Sequence, residues 1–192
     1  MQLVLASTSP YRKALLERLH LDFITARPDA DETPLGGESP EELAGRLAAL
    51  KAQSLQADYP DSLIIGSDQV STLDDLTPVG KPGTEERAFE QLRAASGRIV
   101  LFYTGLCVLN TRTGDAENLV DRYEIQFRDL TDEEIRAYIR KEQPLDCAGS
   151  FKSEGLGSAL FARHQGADPT SLIGLPLIAL CECLRRQGLQ IP

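Results

Sequence analysis

The 192-residue sequence contains only 2 histidines, and they stand far apart at His20 and His164. That argues against a histidine-built zinc centre, so a catalytic metal would fall to carboxylates, which favour magnesium or manganese. The 4 cysteines, Cys107, Cys147, Cys181 and Cys183, form no Cys-x-x-Cys pair. Cys181 and Cys183 sit two apart on an expected helix and point to different sides, so all four read as buried or inert thiols. There is no basic run. With 20 Lys and Arg against 29 Asp and Glu, the net charge of −9 leaves no phosphate track for nucleic acid. A small anionic substrate needs only a few local cations and is not excluded. The longest apolar stretch, Leu172 to Leu184, is broken by Gly174, Pro176 and Glu182 and is too short to span a membrane. The first apolar run is too short for a secretory signal. No membrane partner and a cytoplasmic address are therefore expected. Neither Gly-x4-Gly-Lys-[Ser/Thr] nor Gly-x-Ser-x-Gly occurs, which removes a P-loop and an acyl-enzyme elbow. No repeat or low-complexity linker divides the chain. At 42% hydrophobic residues it can bury one core, and a single domain over 1–192 is expected.

What is present begins at Leu3-Val4-Leu5-Ala6-Ser7-Thr8-Ser9-Pro10-Tyr11-Arg12. The apolar run Leu3–Ala6 reads as a buried strand. Ser9 is an N-cap and Pro10 a first helical residue. A strand that feeds straight into a helix N-terminus aims unpaired N–H groups and a positive dipole end at one spot, which suits a phosphate. At 100° per residue Arg12 shares the face of Leu15, Leu16 and Leu19, one turn earlier. Its guanidinium there can take an anion bidentately. Ser7, Ser9 and Arg12 are thus candidate phosphate ligands, although a plain capped helix with a solvated arginine fits the same residues.

The remaining pattern alternates strand and helix. A helix is expected over Pro10–Leu19, and another from the capping box Ser39-Pro40-Glu41-Glu42 to about Leu55. Leu63–Ile65 reads as a strand and Thr84–Ala95 as a helix. Ile99–Leu109 and Leu119–Phe127 read as a hairpin turning at Thr113-Gly114. Helices follow from Thr131 to about Lys141 and from about Pro176 to Arg186. The expected class is α/β with a mixed sheet.

Four residues stand out chemically. Asp68 follows an apolar strand, where open α/β sheets bind ligands. Glu32, in a Pro- and Gly-rich loop, is a second carboxylate. Lys51 falls inside the apolar arc of its helix, about 80° from Leu43. It either snorkels or directs its ammonium to phosphate. Lys81 sits between Gly80 and Pro82, the position of an ordinary turn residue. Asp68 fits a general base, a metal ligand, or both.

The ordered set Ser7–Arg12, Asp31-Glu32, Gly66-Ser67-Asp68-Gln69, Gly80-Lys81-Pro82, Gly149–Gly155 and Ile173-Gly174-Leu175-Pro176 resembles the Maf family of nucleoside triphosphate pyrophosphatases. The resemblance covers nearly the whole chain. It implies an elongated central sheet flanked by helices, two lobes around an active-site cleft, and an ITPase-like architecture. It also implies Asp68 as proton acceptor, a Mg2+ or Mn2+ ion supported by Glu32 and Asp68, and phosphate roles for Lys51 and Lys81. A small-molecule nucleotide is the implied partner, and a homodimer is implied although no sequence feature shows one. Tyr11, Gln69 and Glu154 most resemble the branch that hydrolyses 7-methyl-GTP. Tyr11 can stack on a cationic base, Glu154 can accept from a guanine Watson–Crick edge, and Gln69 can supply an adaptable amide. Hydrolysis of dTTP, UTP or another non-standard nucleotide, and a division-arrest role through protein partners, are the rival expectations.

Overall fold

The computed structural model describes residues 1–192. Its elements run β1 (Gln2–Ala6), α1 (Pro10–Glu17), β2 (Ile24–Ala26), α2 (Pro40–Gln53), β3 (Ser62–Thr72), α3 (Glu85–Ala95), β4 (Ile99–Asn110), β5 (Ala116–Phe127), α4 (Asp132–Glu142), β6 (Phe161–Gln165) and α5 (Leu177–Arg186), with three short 3-10 turns between residues 148 and 173. The six strands make one mixed sheet in the order β2-β1-β3-β4-β5-β6. The α/β class with a mixed sheet is as expected. No helix is long and apolar enough to cross a membrane.

β1 lies between β2 and β3 and is parallel to both. It is covered on both faces, which is why it reads as an unbroken apolar run rather than an alternating one. One face packs Leu3, Leu5, Leu63 and Ile65 against Leu15 and Leu16 of α1 and Leu180 and Leu184 of α5. The other packs Val4, Ala6 and Ile64 against Ala48 and Ala52 of α2. Successive crossovers therefore run over opposite faces, and the chain reverses direction across the sheet at β1. Such a switch point opens a crevice at the carboxyl ends of the strands. A further cluster, built on Phe102, Ile125, Phe127, Leu92 and Ile135, fills the far half of β4 and β5 under α3 and α4.

α2 lies unusually close to the sheet. A Cβ at Gly66 would come within 2.1 Å of the Ala48 carbonyl oxygen, and one at Gly105 within 2.2 Å of that of Ala44. Only glycine allows this approach, and it brings Lys51, one turn on from Ala48, over the sheet.

Several boundaries differ from the sequence reading. β3 is 11 residues long and does not stop at Ile65, because β4 pairs with it as far as Thr72↔Leu101. Asp68 and Gln69 are therefore inside the strand, not beyond it. β2 and β6 are short and largely exposed, with no apolar run to announce them. α1 stops at Glu17, and His20 just beyond it has a left-handed φ of 52°.

Candidate active site

β1 pairs with β3 only as far as Ala6↔Gly66. Past that point β3 has a free edge, touched only by the bridge Ser71↔Val79. A cleft of about 560 Å³ opens along this edge. Ser7, Ser9, Tyr11, Arg12, Glu32, Lys51, Asp68, Gln69, Lys81 and Glu154 all line it, so the fold brings together every candidate site residue of the sequence reading.

The α1 end is built as its cap chemistry dictates. Ser9 Oγ accepts from Arg12 N at 3.4 Å, and Ser7 Oγ accepts from Ser9 N at 3.0 Å. Arg12 is half-buried, and its Nε donates to the Gly174 carbonyl at 2.8 Å. That contact aims the guanidinium and leaves its two terminal nitrogens without a protein acceptor. Burial lowers the Arg12 pKa, while Asp68 and Glu32 pull it back up.

Lys51 settles between the two carboxylates. Its Nζ donates to Asp68 Oδ1 at 2.6 Å and stands 2.9 Å from Glu32 Oε1. The ammonium is buried, so it does not snorkel. Glu32 comes from a loop and is exposed, whereas Asp68 is buried on β3. No cluster of three or more His, Cys, Asp or Glu side chains is arranged to hold a metal. Two carboxylates, Glu32 and Asp68, flank Lys51 in the cleft. This set fits a magnesium- or manganese-like ion that takes its other ligands from phosphate and water.

Gln69 points to the opposite face of β3 from Asp68 and is firmly held. Its Nε2 donates to the carbonyls of Ser171 at 2.6 Å and Leu172 at 3.2 Å, and to Thr104 Oγ1 at 3.2 Å. Thr104 Oγ1 itself donates to Ser171 O at 2.9 Å. The donors of the amide are committed, and its carbonyl oxygen has no protein donor. An adaptable amide was expected; the structure holds its nitrogen against Ser171, Leu172 and Thr104.

Tyr11 bridges to the opposite wall, donating its hydroxyl to Asp146 Oδ1 at 3.2 Å. Burial, and then Cys147 and Asp146, raise its pKa. The Lys152 ammonium, held by the Glu142 carbonyl at 2.8 Å, lies 5.9 Å from the Tyr11 ring centroid. Cys147 also lines the cleft, but burial pushes its thiol up to about 12, in keeping with an inert cysteine. Glu154 and Lys81 stand exposed at the rim. Asp146 and Thr104 were missed in the sequence, and Gly174 was noted only within Ile173-Gly174-Leu175-Pro176, without a role for its carbonyl. Each acts through a contact between residues distant in the chain.

A family model described as Maf-like protein matches residues 2–187. A curated protein of Nitrosococcus oceani, named 7-methyl-GTP pyrophosphatase, is 55% identical over 186 residues, which covers 97% of this chain and 93% of that protein.

Proposed function

The chain belongs to the Maf family, and from that membership we propose that it hydrolyses 7-methyl-GTP to 7-methyl-GMP and pyrophosphate. The carrying observation is the cleft. One cleft is lined by Arg12, Lys51 and Lys81, by Glu32 and Asp68, and by Tyr11, Gln69 and Glu154. The name of the Nitrosococcus oceani relative supports the same substrate. The single sheet from β2 to β6 supports reading 1–192 as one catalytic domain, and we propose that it acts on free nucleotides in the cytoplasm.

The residues divide by chemistry. The α1 N-terminus, Ser7, Ser9 and Arg12 bind phosphate oxygens through N–H, hydroxyl and guanidinium donors. Lys81 approaches from the rim, and Lys51, held between Glu32 and Asp68, adds its positive charge beside the phosphates. Asp68 Oδ1 is held by Lys51, and its second oxygen takes the proton of the attacking water. The water oxygen bonds to the α-phosphorus, the bond from that phosphorus to the bridging oxygen breaks, and pyrophosphate leaves. Glu32 and Asp68 would hold a Mg2+ or Mn2+ ion. When bound, such an ion neutralises phosphate charge and lowers the pKa of water. For the base, the Gln69 carbonyl and the Glu154 carboxylate supply two acceptors, the number of donors on a guanine Watson–Crick edge. Tyr11 offers a π face to a base made cationic by N7 methylation.

The test is a nucleotide panel with product analysis, with and without EDTA. Pyrophosphate released from 7-methyl-GTP faster than from GTP, dTTP or UTP, and lost with EDTA, is the expected result. Orthophosphate as first product, or a preference for dTTP or UTP, overturns it.

A further inference from the structure

The core-facing stripe of α3 contains a polar residue. Ala88, Leu92 and Ala95 are buried, and Gln91, three residues after Ala88 and four before Ala95, shares their side of the helix. Both ends of its amide are used. Nε2 donates to the Gly80 carbonyl at 3.1 Å, and Oε1 accepts from the Ser150 hydroxyl. Ser150 is fully buried with a left-handed φ of 61°. A non-glycine residue persists in that conformation only where its surroundings over-determine it. The amide thus ties together two segments that border the cleft, one carrying Lys81 and the other leading to Glu154.

The Lys81 loop is anchored at both ends. Val79 exchanges hydrogen bonds with Ser71, N to O at 2.7 Å and Ser71 Oγ to Val79 O at 3.0 Å. Gly83 N donates to Leu145 O at 2.9 Å. Between those anchors Gln91 holds the residue immediately before Lys81. Beside it lies a hollow of about 220 Å³ bordered by Val79, Gln91, Ala95 and Gly149. Pro82, just after Lys81, is buried, so packing holds that side of the lysine and the Gln91 contact holds the other.

We propose that Gln91 is a positioning residue: it fixes the Gly80-Lys81-Pro82 backbone so that the Lys81 ammonium meets the phosphates of the nucleotide. This rests on the reading of Lys81 as a phosphate ligand. The test is a double-mutant cycle of Gln91→Leu and Lys81→Met, read as the dissociation constant of inorganic pyrophosphate and as kcat and KM for 7-methyl-GTP. Gln91→Leu alone is expected to weaken pyrophosphate binding and raise KM by about three- to tenfold, with kcat changed by less than about twofold. In the Lys81→Met background the same substitution is expected to cost less than about twofold, because its route of action is gone. Equal losses in both backgrounds, or no loss in the first, overturn the proposal. Should Gln91→Leu fail to fold, Gln91→Glu serves in the same cycle: it keeps the acceptor for Ser150, removes the donor to Gly80 and adds a negative charge, and the difference in its cost between the two Lys81 backgrounds is then the quantity read. Wild-type turnover of 7-methyl-GTP reports separately on the substrate reading, while the pyrophosphate cycle needs no nucleotide.

Discussion

Lys51 Nζ lies 2.6 Å from Asp68 Oδ1, with both side chains shielded from solvent. By sequence alone a methionine at 51 would suit the apolar arc of α2 and keep or raise stability. The buried pair reverses that expectation. Lys51→Met leaves a desolvated carboxylate without its partner, and breaking such a pair is destabilising. A loss of about 1–3 kcal/mol is expected at neutral pH, given water on the cleft side. Lys51→Met/Asp68→Asn should regain most of it, because the stranded charge is gone. Thermal melts of the two variants decide the matter. A Lys51→Met protein as stable as the wild type would show that the pair contributes nothing, and both variants should be catalytically impaired.

Asp68→Asn tests the base. The amide keeps the shape and an oxygen for Lys51 but loses the negative charge and the basicity. A fall in kcat of at least ~100-fold is expected, within the range for a positioned general base, with an unchanged circular dichroism spectrum. A well-folded, active Asp68→Asn enzyme would remove Asp68 from the mechanism.

What could be read from the chain was whatever local chemistry determines. Ser9-Pro10 starts α1, and the capping boxes at Ser39 and Thr131 start α2 and α4, because a cap needs only residues three apart. The two-sided burial of β1 is likewise written in its apolar run. The second half of β3 was not legible. Ser67, Asp68 and Gln69 are polar and extend the strand only because β4 pairs with them. Lys51 illustrates the limit within the site. Helical geometry put it on the buried arc, but whether its head reached water or a carboxylate depended on how closely Gly66 lets α2 approach. The locking of Gln69 by Ser171, and the tether from Gln91 to Gly80, join residues 102 and 11 positions apart and leave no periodic trace.

Asp121 supplies a pH dependence. It is partly buried on β5, and its carboxylate accepts from the Ser171 hydroxyl. Burial raises its pKa, the Ser171 contact opposes the rise, and the Asp168 charge adds to it. A carboxyl whose folded pKa is raised holds its proton longer in the native state than in the unfolded one. Its contribution therefore falls as pH climbs from the ordinary carboxylate value through the raised one. Asp121→Asn keeps an oxygen for Ser171 and removes the charge. It should be more stable than the wild type at neutral pH, with the advantage shrinking as pH drops toward 4. Paired denaturation curves at the two pH values measure it. An Asn variant that is less stable at neutral pH would mean the ionised carboxylate is the better partner for Ser171.

Base recognition can be separated from general binding by a ratio. If Tyr11 stacks on a cationic base, Tyr11→Ala should lose more kcat/KM on 7-methyl-GTP than on GTP. Cation–π attraction of roughly 0.5–2 kcal/mol corresponds to a two- to thirtyfold fall in preference. Tyr11→Phe removes the hydroxyl bond to Asp146 but keeps the ring, so its ratio should stay near that of the wild type. Glu154→Gln removes a negative charge while keeping an acceptor oxygen, and should lower the preference in the same direction. Lys152 provides the opposite arm. Its ammonium lies 5.9 Å from the Tyr11 ring centroid and places a positive charge beside the proposed seat of a positive base. Lys152→Met should therefore raise the preference for 7-methyl-GTP over GTP. Ratios that move down for Tyr11→Ala and Glu154→Gln and up for Lys152→Met can come only from a site that reads the charge of the base. Proportional losses on both nucleotides would show that these residues shape the pocket without reading the charge.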